Sequence, residues 1–148
     1  MVSQKCQYAI WAIFELARRH GQGPVKISEI AKAQAIPVRF LQVILNQLKS
    51  AGFVHSRRGA EGGYFLARQP NRVTIAEIVQ FVEGPIVPVA CRAGKIAGEC
   101  ALHRNCVFIE VWKQAAKAVS DVYEQTTFQH LVDDEAKMRR AASFAYSI

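Results

Sequence analysis

Residues 28–66, SEIAKAQAIPVRFLQVILNQLKSAGFVHSRRGAEGGYFL, leave few folds open to this chain. Ser28 is a good helix N-cap, and Ile30, Ala31 and Ala35 mark an inward face behind it. A turn is expected near Ala35–Ile36. Pro37 suits the first position of a second helix, where its missing N–H costs nothing. Val38, Leu41, Ile44, Leu45 and Leu48 follow at helical spacing, with Val38, Leu41, Leu45 and Leu48 expected to face the core. Gly52 is a natural C-cap. Phe53 to Ser56 then reads as a strand, Gly59, Gly62 and Gly63 as its turn, and Tyr64 to Ala67 as the returning strand. The order predicts a mainly α fold: a winged helix-turn-helix with a small β-wing.

The side chains left outside that core suit DNA. A helix entering the major groove needs polar and cationic groups on its outward face. Arg39, Gln42, Asn46 and Lys49 occupy the faces not taken by the apolar residues. Arg57 and Arg58 stand beside Gly59 at the wing tip, where a small residue lets the backbone approach phosphate. Lys26 and Ser28, at the start of the first helix of the pair, are further candidates for phosphate contact. Taken singly, each is an ordinary surface residue; the reading rests on their order.

Charge is distributed accordingly. The 148 residues carry a net charge of +7. Residues 1–72 hold 11 Lys/Arg against 3 Asp/Glu, and residues 73–148 hold 8 against 9, so the whole surplus lies in the half with the helix-turn-helix. That is the footprint of a polyanion-binding face. A membrane surface would attract it too, but no apolar run nears the ~18 residues of a spanning helix, and no signal peptide is evident. The expected location is the cytoplasm, where four cysteines suit metal or redox work better than structural disulfides. No phosphate-binding glycine loop, HExxH or Ser/His/Asp signature suggests an enzyme.

Elsewhere, residues 4–20 read as an amphipathic helix with Cys6 near its start, expected as a small buried hydrophobe. Val25–Ile27 is a candidate short strand pairing with the wing. Thr74 and Glu77 form a capping box for a helix that buries Ile75, Ile78, Val79 and Val82 and stops at Gly84–Pro85. Residues 84–106 form a long loop holding Cys91, Cys100 and Cys106, with His103 between the last two. Thiols at that density suit a soft or borderline metal. Residues 107–125 give a long helix whose stripe of Val107, Phe108, Val111, Trp112, Ala115, Ala118, Val119, Val122 and Tyr123 is surplus to one domain and predicts a homodimer. Thr127 is expected to cap a short turn, Phe128 to Val132, with Asp133–Asp134 opening a separate C-terminal helix to about Ala145. Three regions follow: a DNA-binding domain over 1–83, a cysteine loop over 84–106, and a dimerisation and C-terminal helical region over 107–148.

QYAIWAIFELA near the start, SEIAKAQAIPVRFLQVILNQLKSAGFV, the wing SRRGAEGGYFLA and then TIAEIVQFVEG, in that order with the cysteine loop and long helix, resemble the Rrf-two family of bacterial winged-helix regulators. That group has IscR-, NsrR- and RirA-like branches. The resemblance covers essentially the whole chain, and RRG-x-x-GGY is its most specific part. It implies a homodimeric transcription regulator on palindromic double-stranded DNA operators, with Arg39, Gln42 and Arg58 facing bases or groove. It also implies a [2Fe–2S] or [4Fe–4S] iron–sulfur cluster on Cys91, Cys100 and Cys106 whose state changes DNA affinity.

The first cysteine spacing is longer than in IscR-like and NsrR-like loops and closest to RirA-like ones. Ile109 replaces the IscR-like histidine ligand, and Gln7 the NsrR-like acidic one. The fourth ligand is open between His103, Cys6, a small exogenous ligand and none. Rival readings are a Cys3His zinc site from Cys91, Cys100, His103 and Cys106, a cluster-free thiol sensor, and an electron carrier that does not bind DNA.

Overall fold

Helix α1 (Gln4–Arg18) starts where the Ser3 hydroxyl accepts the Cys6 N–H at 3.2 Å. It is followed by α2 (Ile27–Gln34), α3 (Val38–Ser50), the strands β1 (Val54–Arg57) and β2 (Gly63–Leu66), a 3-10 turn at Pro70–Arg72, α4 (Ile75–Glu83), α5 (Ile109–Gln125) and α6 (Phe128–Ala145). The computed structural model describes residues 2–89 and 106–145. Cys91, Cys100 and His103 therefore lie outside the described residues.

One core joins the first half of the chain to the last helix. Ala9, Ala12, Ile13 and Leu16 of α1 pack with Ile30 of α2, Leu41, Ile44, Leu45 and Leu48 of α3, Val54 and Leu66 of the wing, and Ile78 of α4. Phe128, at the start of α6, is completely buried in the same cluster, with Leu131 and Val132 packed against it. The Phe128 N–H donates to the Val73 carbonyl at 3.0 Å, and the Ile75 N–H to the Thr126 carbonyl at 3.0 Å. These bonds staple the α5–α6 junction to the base of α4.

The strands pair antiparallel, with Val54 opposite Leu66 and Arg57 opposite Gly63. Val25 and Tyr64 exchange both backbone hydrogen bonds at 2.8 Å, so the expected strand before α2 is reduced to one bridge. Gly63 permits the approach: a Cβ there would lie 2.4 Å from the Val25 carbonyl oxygen.

Several expectations need correction. Ser28 is not an N-cap. Helix α2 begins at Ile27 and its cap is Lys26, whose N–H donates to the Glu29 carboxylate at 3.0 Å. Pro37 is the cap of α3 rather than its first residue. Val38, the first residue of α3, is 47 % exposed and does not face the core. β1 is shifted one residue later than expected, to Val54–Arg57. The C-terminal segment is one helix, not a turn and a helix. His130 N–H donates to the Thr127 hydroxyl at 3.2 Å to start it, and Asp133 and Asp134 sit on its exposed side without breaking it. The capping box on α4 is present, with Thr74 N–H to the Glu77 carboxylate at 2.9 Å and Glu77 N–H to the Thr74 hydroxyl at 3.3 Å.

Glu15, a charged residue within amphipathic α1, is completely buried. Its carboxylate accepts from Arg18 at 2.7 Å, from Arg19 at 2.6 Å and from the Gln34 amide at 2.9 Å. Arg18 reaches on to Glu135 of α6 at 3.2 Å, and Arg19 to Glu29 of α2 at 3.4 Å. Burial pushes the Glu15 carboxyl upward, but the hydrogen bonds from Arg18, Gln34 and Arg19 outweigh it and hold the group below its ordinary value of 4.5. A carboxylate depressed on folding contributes stability above its unfolded pKa and loses it as pH falls through the folded one. Glu15→Gln is expected to lower stability at pH 7 by about 1–3 kcal/mol in urea unfolding. The gap to wild type should narrow as pH drops below 4.5. An unchanged midpoint at neutral pH would contradict this role.

Candidate nucleic-acid interface

The reading unit is built from α2, α3 and the wing. α2 ends at Ala35, which adopts a left-handed conformation with φ 51°, the one non-glycine residue with positive φ among those described. Its N–H and that of Ile36 both donate to the Ala31 carbonyl, the latter at 3.0 Å. Ile36 is buried, and Pro37 directs the chain into α3. The turn thus sets the angle between the two helices by backbone hydrogen bonds and one buried side chain.

Leu41, Ile44, Leu45 and Leu48 anchor α3 and dictate what faces outward. At 3.6 residues per turn the opposite face carries Arg39, Gln42, Val43, Asn46 and Ser50. All of these are exposed. The Arg39 guanidinium lies over the Phe40 ring, 5.1 Å from its centroid, which limits its swing. Val43 was missing from the expected set, although its place on the outward face, one turn on from Arg39, is readable from the helical repeat.

The wing tip turns at Gly59, whose φ of 105° favours glycine and whose missing side chain faces open space. The Gly62 N–H closes the turn on the Gly59 carbonyl at 3.0 Å, and a Cβ on Gly62 would meet the Arg57 carbonyl at 2.3 Å. Arg57 and Arg58 project from this compact tip and are exposed. The Val25–Tyr64 bridge brings the start of α2 beside the wing, so exposed Lys26 and Ser28 belong to the same unit.

Charge pairing separates two kinds of cation. Arg18, Arg19 and Arg68 are spent on Glu15, Glu135, Glu29 and Glu77. Lys26, Arg39, Arg57 and Arg58 make no ion pair with any described acidic side chain; neither do Lys5, Lys32, Lys49, Arg72 and Arg140, so what marks the four is their grouping around α3 and the wing. A helix face with amides and an arginine, flanked by a basic glycine-rich tip, can engage base edges and phosphates together.

Of the thiols, Cys6 is a core residue. It is completely buried, and burial together with Glu83 pushes its pKa up to about 11. Glu83 also accepts the Ser3 N–H at 2.8 Å and is held below the usual carboxylate range by it. Cys106 is half-buried just before α5, and its carbonyl accepts the Ile109 N–H at 3.3 Å. Among the described residues no group of three His, Cys, Asp or Glu side chains could hold a metal ion. No described helix is long and apolar enough to cross a membrane.

Comparison with known proteins agrees with this geometry. A family model described as Rrf2, iron-dependent transcriptional regulator, matches residues 2–134. The HTH-type transcriptional regulator CymR of Bacillus subtilis is 34% identical over 130 residues, 88% of each chain. Its solved structure, described as that of the global cysteine regulator, superposes with a TM-score of 0.76 over 90% of this chain and 96% of that one, at 31% identity. IscR of T. potens gives a TM-score of 0.75 at 30% identity, covering 91% and 88%. The oxidised form of Staphylococcus aureus CymR gives 0.72 at 26% identity, covering 89% and 95%. With the winged helix-turn-helix and a family match spanning nearly its full length, the chain belongs to the Rrf2, or Rrf-two, family of DNA-binding transcriptional regulators.

Proposed function

We propose that the protein is a cytoplasmic homodimer that grips a palindromic operator and adjusts its grip through an iron–sulfur cluster on Cys91, Cys100 and Cys106. The observation that carries the reading is the grouping of four cations without an ion-pair partner, Lys26, Arg39, Arg57 and Arg58, around an outward-facing helix. Arg39, Gln42 and Asn46 read base edges, Arg58 enters the groove, and Arg57, Lys26, Ser28 and the Gly59 backbone hold phosphate. Dimerisation is supported by α5: none of its 17 residues is buried, and Val111 and Val122 are 56% and 61% exposed. A second copy would cover that stripe and set two reading heads about one DNA turn, ~34 Å, apart or somewhat more.

The donor chemistry fits an iron–sulfur centre: three thiols lie within one short segment, and Cys106 stands just before α5. A cluster bound there supplies a response to iron supply, oxidants or nitric oxide. Burial of Cys6 against Glu83 favours His103 over Cys6 as a fourth ligand. Residues of the chain itself carry the coupling. Cys106 leads directly into α5, and the far end of α5 is hydrogen-bonded to the base of α4 through Thr126 and Ile75. A shift of α5 therefore moves the platform under the reading head. A coupling of ~1–3 kcal/mol would alter occupancy roughly 5–150-fold.

The likeness to CymR, and to a CymR structure solved in an oxidised form, favours a second reading in which the loop thiols respond without a cluster. Oxygen-free purification followed by a visible spectrum with iron and sulfide assays distinguishes the two. A brown protein containing both supports the cluster. A colourless, iron-free protein whose DNA binding changes with mild oxidant supports the thiol reading, and stoichiometric zinc would point to a Cys3His site. Cys100→Ala is expected to abolish cluster assembly while leaving the fold and dimer intact; undiminished iron in that variant would remove Cys100 from the ligand set. Arg58→Ala should weaken operator binding by ~1–3 kcal/mol. Equal losses on operator and random duplex would reassign Arg58 to phosphate.

A further inference from the structure

The outward face of α3 is polar except at its centre. Val43 is 53% exposed there, between Arg39 and Asn46 and opposite the buried Leu41, Leu45 and Leu48. Two other apolar residues of α3 are exposed, but each has a different setting. Phe40, 50% exposed, lies under the Arg39 guanidinium, and Val38 sits at the helix start. Scattered exposed apolar side chains are ordinary on a protein surface. One ringed by groups suited to base edges is a different matter. Among the hydrogen-bond donors and acceptors that base edges present in the major groove stands one apolar group that a side chain can pack on, the 5-methyl group of thymine.

We infer that Val43 is a specificity-determining residue that packs its branched methyls on a thymine methyl in each half-site. This rests on the DNA-binding role of α3. The amides of Gln42 and Asn46 suit adenine and the guanidinium of Arg39 suits guanine; none of them addresses the thymine methyl, which an aliphatic side chain such as Val43 does. The contact removes apolar surface of both partners from water, and it demands no change in the core because Val43 contributes nothing to it.

The full-length protein, used to select binding sites from random duplex DNA, provides the probe. Each thymine of the selected half-site is then replaced by deoxyuridine, which lacks only the methyl group. Wild type should lose about fourfold in affinity for each half-site replaced at one particular thymine, the equivalent of one buried methyl-sized group. Val43→Ala, with an unchanged melting temperature, should bind the thymine duplex more weakly and no longer distinguish it from the deoxyuridine duplex. Indifference of wild type to every replacement would overturn the inference and leave DNA binding standing. So would full discrimination retained by V43A, which would hand the methyl to another residue. Failure to enrich any sequence would remove the DNA-binding reading, and this inference with it.

Discussion

A single buried carboxylate fixes the arrangement on which the reading head depends. Glu15 is withdrawn completely from water on α1, and three donors hold it charged there. Two of those donors are its own neighbours one turn on, but the third, Gln34, ends the helix that leads into the turn. Arg18 carries the network to Glu135 of α6. A buried charge is costly to leave unpaired, so α1, α2 and α6 must meet in one relative arrangement for the group to be satisfied. Apolar packing alone would tolerate small slides between these helices.

From that junction outward the protein becomes progressively less self-satisfied. The core side of α3 is completely covered, while its opposite face and the wing tip carry cations with no described acidic partner. α5 covers none of its own residues. A surface cation left unpaired and an apolar stripe left in water both mark places completed by something else, a polyanion in the first case and an apolar partner in the second. The two surfaces are mechanically connected, since the end of α5 hydrogen-bonds to the base of α4 and Phe128 enters the shared core.

Local signals in the chain were strong where one residue type has one physical use. Pro37, Gly52, Gly59 and the Thr74–Glu77 box located the turns and caps to within a residue, and the spacing of Leu41, Ile44, Leu45 and Leu48 oriented α3 correctly. Signals failed where the deciding partner is distant. Glu15 in an amphipathic helix reads as a solvent-facing charge, and only Gln34, 19 residues away, and α6 reveal it as buried. Phe128 looks like part of a marginal turn until its place beneath α1 is seen. Val38 has the right chemistry for the core but stands exposed at the first residue of α3. Asp133 and Asp134 suggested a helix start, yet exposed acids are equally at home inside a helix that faces water.

The central claim is that two copies, joined along α5, present their unpaired cations to one duplex. Sedimentation of the intact protein with its selected duplex, repeated across a salt series, tests it most directly. The account predicts a dimer before DNA is added, two protomers on each duplex, and a steep linear fall of log affinity with log salt. A monomer that binds one to one, or an affinity indifferent to salt, would contradict it.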